Sequence, residues 1–186
     1  MKKLMTIVLA IVLIAGFTSK SSAQISVGAH AGIALPMGTF GDLFKMGFGG
    51  TANGEYALNE TMSIGLNVGY YTFSAQDAFD GYKWSFIPIL ADFKYSFATE
   101  GFMPYVGAGI GMYMASATVK IPSYTIGGVT YGGGEATASD SKFGFFPTVG
   151  FLMGENMKFG INAKYNMVSD ANYLTVGANI LFPLGK

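Results

Sequence analysis

Histidine occurs once in the 186 residues, as His30, and cysteine not at all. Any histidine-dependent nucleophilic or metal site must therefore be built around His30. Its surroundings supply no His-x-Ser arrangement and no second histidine. The chemistry that remains is that of a hydrogen-bonded interior residue beside Ser26, Gly28 and Gly32. The glycine clusters Gly127-Gly128 and Gly132-Gly133-Gly134 invite a phosphate-loop reading, but no Gly-Lys-Ser/Thr follows them and no strand-to-helix context surrounds them, so they read as turn glycines. Without cysteine there is no disulfide framework, no thiolate metal site and no lipid-modified N-terminal cysteine. Neither a cofactor nor a catalytic set is called for by these residues.

Charge offers more. Glu55, Asp92, Lys94, Lys158 and Lys164 each interrupt an otherwise apolar or small-residue stretch, and with His30 they fall on one face of a two-residue repeat. Charges turned into a low-dielectric interior are costly unless paired, so this set reads as a polar plug, with a narrow ion or solute path as the alternative.

The elements that would hold these residues follow from periodicity. Met157, Phe159, Ile161, Ala163, Tyr165 and Met167 alternate with Lys158, Gly160, Asn162, Lys164 and Asn166, the repeat of a strand with two different faces. The same alternation marks eight strands, near 25–33, 48–56, 62–70, 87–97, 105–114, 145–151, 157–167 and 174–182, with Pro147 weakening the sixth. The connections between them are 36–47, 58–61, 75–83, 98–101, 116–141, 154–156 and 168–172, long alternating with short until the last. Outer-membrane barrels join short periplasmic turns to longer extracellular loops, which places the first, third, fifth and seventh connections outside and both termini in the periplasm.

Composition decides which face meets what. Hydrophobic residues make up 51% and charged residues 12% of the chain, against about 25% charged in an ordinary soluble domain. The non-apolar face is mostly Gly, Ser, Thr and Asn, a poor surface for water but a good filling for a narrow barrel. Gly107, Gly109 and Gly111 are read as gaps facing bulkier neighbours, and Tyr56, Tyr70, Tyr95, Phe97, Tyr165 and Phe182 as interfacial girdles. Residues 1–23 have the form of a cleaved signal peptide: Lys2 and Lys3, a 13-residue apolar run from Leu4 to Gly16, then Ser21-Ser22-Ala23. That run is short of the roughly 20 residues a spanning helix needs. The remainder, 24–186, is one barrel domain. It keeps eight lysines, no arginine and eleven acids, a net charge of about −3 that gives nucleic-acid binding no support. The fold class is all-β, an eight-stranded antiparallel transmembrane up-and-down β-barrel.

Several local patterns carry a family resemblance: Gly32-Ile33-Ala34-Leu35-Pro36-Met37-Gly38, Pro104-Tyr105-Val106-Gly107-Ala108-Gly109-Ile110-Gly111, and the final strand. The chain from Gln24 to Lys186 resembles the small outer-membrane barrels that include OmpX, OmpW and the transmembrane domain of OmpA. In the last strand Gly177, Ile180 and Phe182 resemble the signal read by the barrel-assembly machinery, although Val176 stands where a polar residue is usual and four residues follow Phe182. The resemblance implies outer-membrane lipid and that machinery as partners. The leading functional expectation is a non-enzymatic structural or cell-surface interaction protein with an extracellular partner. A porin-like narrow channel for ionic or hydrophobic solutes and a lipid-modifying enzyme are the rivals.

Inside the longest connection, Tyr124-Thr125-Ile126-Gly127-Gly128-Val129-Thr130-Tyr131 is nearly symmetric about its two glycines. This predicts a two-residue hairpin turn with Ile126 opposite Val129 and Tyr124 opposite Tyr131, all four on one face as a candidate interaction surface. A partnerless glycine-rich loop is the competing expectation, because an isolated two-stranded hairpin is marginal in water.

Overall fold

A computed structural model describes residues 25–76 and 81–184. The signal segment expected at 1–23 and the centre of the third connection lie outside the described residues. The chain runs as β1 (Ile25–Pro36), a short helix α1 (Thr39–Leu43), β2 (Gly47–Ala57), β3 (Met62–Ser74), β4 (Tyr82–Ser96), β5 (Phe102–Ile126), β6 (Val129–Met153), β7 (Lys158–Val168) and β8 (Tyr173–Leu184). Each strand pairs antiparallel with the next, and β1 pairs with β8 from Ile25↔Leu184 to Pro36↔Tyr173, which closes the barrel. Closure gives every strand two neighbours through the wall, the condition for placing a sheet in lipid without unpaired backbone groups. No helix among the described residues is long and apolar enough to cross a membrane.

The two faces separate as the alternation requires. Ile33, Ile64, Val68, Ile89, Ile110 and Ile161 point outward and are exposed, while Asn67, Asp92, Thr148, Asn162, Thr175 and Asn179 between them are buried inside. Large apolar side chains exposed all round a closed wall are an unstable arrangement in water and a stable one in hydrocarbon. Glycines make room within. A Cβ on Gly107 would lie 3.0 Å from Thr148 Cγ2 and 3.1 Å from Lys94 Cγ, and one on Gly111 would lie 2.9 Å from Leu90 Cδ2.

The sequence expectation fails most at residues 116–141, read as a loop. They continue β5 and β6, each 25 residues long, to a turn at Gly127-Gly128. At about 3.3 Å per residue each strand is roughly 80 Å long, more than twice what crossing a bilayer takes, so the upper halves stand beyond the membrane. The hairpin's internal register agrees with the symmetry reading: Ile126↔Val129, Thr125↔Thr130 and Tyr124↔Tyr131. Proline leaves a mark in the wall. The β6–β7 ladder is interrupted between Phe145↔Met167 and Thr148↔Lys164, at Pro147, and the β3–β4 ladder between Val68↔Ile89 and Tyr71↔Phe86, at Pro88. A residue without an N–H cannot complete a ladder, but two such gaps do not break a strand held on its other side.

Candidate functional site

The inward face is divided into layers. At mid-height, β2 contributes Glu55, β3 Asn67, β4 Asp92 and Lys94, β7 Lys164 and β1 His30, because each occupies an inward position of its strand. Lys94 Nζ forms an ion pair with Glu55 and lies 3.7 Å from Asp92 Oδ2. Asn67 Nδ2 donates to Asp92 Oδ1 at 2.8 Å, and Asn53 Nδ2 to Glu55 Oε1 at 3.4 Å. The two ammonium groups also rest over rings: Lys94 Nζ is 5.5 Å from the centre of Tyr105 and Lys164 Nζ 4.6 Å from that of Phe146. Two lysines and two carboxylates make the layer formally neutral, the arrangement in which mutual attraction can offset desolvation.

His30 is buried, with Nδ1 3.2 Å from the Tyr71 hydroxyl. The cavity at the centre has a volume of about 20 Å³ and is lined by His30, Thr51, Asn67, Thr148, Asn162 and Asn179, among others. His30 Nε2, Asn162 Oδ1 and Asn179 Oδ1 have no hydrogen-bond partner among the described residues. A space of this size takes about one water, and these atoms are the partners such a water needs.

Lys158 was expected in the same network. It stands on the inward face at the start of β7, opposite Leu181, away from the residues that line the cavity. The period assigns a face but not a height along the barrel, so it cannot separate a mid-lumen lysine from one at the rim.

Apolar layers lie on both sides of the polar one. On the side of α1, Phe40 packs on Phe73 with ring centres 5.1 Å apart, Phe86 stacks on Tyr173 at 5.4 Å, and Phe44, Trp84 and Tyr113 complete the cap. α1 is pinned there by Phe44↔Ala75 bridging and by Gln76 Nε2, which donates to Gly41 and Phe44 carbonyls at 3.4 Å. Towards the opposite rim, Met103, Tyr105, Leu152 and Leu181 form a second cluster. Sequence reading missed the aromatic cap. Its signal was present as Phe73, Phe86 and Tyr173 on the face otherwise filled by small and polar residues.

The other candidate residues sit elsewhere. Tyr124, Ile126, Val129 and Tyr131 occupy paired positions at the tip of the β5–β6 hairpin. Beyond Tyr82↔Val119 a last bond joins β5 to that side, from Lys120 N–H to the Gly81 carbonyl at 3.0 Å; above it the ladder of β5 among the described residues is with β6 alone, and β6 has no β7 partner above Gly144↔Val168. In β8, Ile180 and Phe182 lie opposite Ala29 and Val27 on the outer face. Gly177 faces inward, where a Cβ would come within 2.7 Å of His30 Nε2. Among the described residues no group of three His, Cys, Asp or Glu is placed to hold a metal.

Residues 6–181 match the family model of the outer membrane protein beta-barrel domain. No curated protein sequence matches the chain. Among solved structures, Neisserial surface protein A is similar, with TM-score 0.59 and 17% identity over 88% of this chain and 98% of that one. Ail, the attachment invasion locus protein of Yersinia pestis, gives TM-score 0.50 and 15% identity over 86% and 97%.

Proposed function

Because the chain belongs to the outer membrane protein beta-barrel domain family, we propose that it is a non-enzymatic, non-conducting barrel of the bacterial outer membrane whose work is done by its extracellular hairpin. Both termini are then periplasmic. The observation that carries this reading is the contrast between the two ends of β5 and β6. Through the wall every strand has two neighbours, whereas above Lys120, whose N–H donates to the Gly81 carbonyl at 3.0 Å, β5 pairs along its ladder with β6 alone among the described residues, and so does β6 with β5 above Gly144. A strand laddered on one side only can accept a further strand on the other, so the partner that fits is an extended segment of a protein from the surroundings. Enzymatic chemistry has little to work with, since His30 lies between two apolar layers. The fold likeness to a Neisserial surface protein and to an attachment protein agrees with a surface role.

Deleting residues 124–131 and rejoining β5 to β6 tests this. The shortened protein is expected to keep the gel mobility difference between unboiled and boiled samples, the sign of a closed barrel, and to lose any adhesion shown by cells displaying the intact chain. Adhesion unchanged by the deletion removes the hairpin tip from the account.

A further inference from the structure

On the outer face the apolar belt does not end at random. Across four neighbouring strands it gives way to hydroxyls along one line: Thr72 on β3 pairs with Ser85 on β4, Ser85 with Ser116 on β5, and Ser116 with Ser139 on β6. The next outward line repeats this as Ser74, Lys83, Thr118 and Thr137. That the positions share a face is shown by Ser116 Oγ and Ser139 Oγ at 3.0 Å, by Thr118 Oγ1 and Thr137 Oγ1 at 3.2 Å, and by Phe73 and Phe86 between them pointing inward and fully buried. Above these lines stand Lys120 and, opposite it, Glu135. Lys83 and Lys120 form no ion pair among the described residues.

Below the hydroxyl lines the same strands carry an apolar groove of about 950 Å³, with Ala91 and Ala108 between Leu66, Phe93, Ile110 and Phe145. The opposite rim has no counterpart to the hydroxyl field. There Met62↔Tyr95, then Tyr95↔Val106 and Val106↔Val149, continue the apolar and aromatic belt from the foot of the groove to the end of the wall. On these four strands one rim therefore meets its leaflet with apolar and aromatic side chains, and the other with seven hydroxyls and two lysines.

We propose that this field is a binding surface for a phosphorylated glycolipid of the outer leaflet, with sugar hydroxyls against the Ser/Thr lines, a phosphate at Lys83 and Lys120, and acyl chains along the groove below. Continuity with the lipid-facing belt identifies the occupant as a membrane component. The density of hydroxyl donors and acceptors suits a sugar headgroup, and the cations suit a phosphate. The inference rests on the orientation given above, with the hairpin outside; cleavage of the hairpin by protease added to intact cells checks that orientation on its own.

The test uses the whole barrel refolded in lipid-free micelles and follows its thermal unfolding midpoint on titration with diphosphoryl lipid A, its dephosphorylated form, phosphatidylglycerol or inorganic phosphate. Saturable stabilisation by diphosphoryl lipid A alone is expected. Lys83→Gln and Lys120→Gln should each weaken it about fivefold, the equivalent of roughly 1 kcal/mol per lysine near an anionic surface. Both variants should keep the mobility shift of a closed barrel, and deletion of 124–131 should leave the effect intact even where adhesion is lost. Equal stabilisation by the dephosphorylated lipid, by phosphatidylglycerol or by phosphate alone, or full affinity in the double glutamine variant, overturns the proposal.

Discussion

Lys94 is the residue on which the interior depends. Its ammonium serves Glu55 and Asp92 together and rests over Tyr105. Lys94→Ala strands two carboxylates between apolar layers and is expected to cost about 3–5 kcal/mol. Replacing the whole set, as Lys94→Met with Glu55→Gln and Asp92→Asn, should cost less than the single change, because no unpaired charge is left. Urea unfolding in micelles orders the two; a neutral Lys94→Ala would mean that water reaches the layer freely. That Glu55, Asp92, Lys94, Lys164 and His30 share the interior was legible from parity alone, since a strand turns every second side chain to the same face. That Lys158 stays at the rim, and that Phe73, Phe86 and Tyr173 close one end, depends on height along the barrel and on side-chain size. Alternation is blind to both.

At the level of elements, all eight strands could be located because one face of each had to be apolar for its full crossing. The upper parts of β5 and β6 escaped for the opposite reason. Ser116, Ala117, Thr118 and Val119 have left the hydrocarbon, nothing forces one face to be apolar there, and the period that marks a half-buried strand fades. What survived was turn chemistry. Gly127 and Gly128 take φ values of 61° and 81°, left-handed at both central positions, as a type I′ turn requires. Gly127→Val should therefore loosen the tip, at a cost of about 1–2 kcal/mol for a side chain in that region, while Gly127→Asn should be tolerated. Amide hydrogen exchange reads the difference. Ile126 and Val129, the hydrogen-bonded pair that flanks the turn, should lose protection in the valine variant while Ile110 and Phe145, inside the wall, keep theirs; equal protection at all four positions would show that the turn does not set the hairpin.

For the molecule as a whole, a wall closed by β1 and β8 surrounds an interior stacked as aromatic, polar and apolar layers and carries a hairpin whose upper strands, among the described residues, ladder only with each other. Among the described residues, apolar clusters lie on both sides of a cavity of about 20 Å³, and in the proposed reading they deny the charged layer a wet route to either rim. The porin-like alternative requires such a route, so the two readings part on conductance. Purified full-length protein, shown by its gel mobility to be folded and inserted into planar bilayers in molar salt, is predicted to give no discrete channel openings under applied voltage. Persistent unitary openings that vanish when the protein is unfolded before addition would contradict the closed interior, and with it the assignment of function to the hairpin rather than to the lumen.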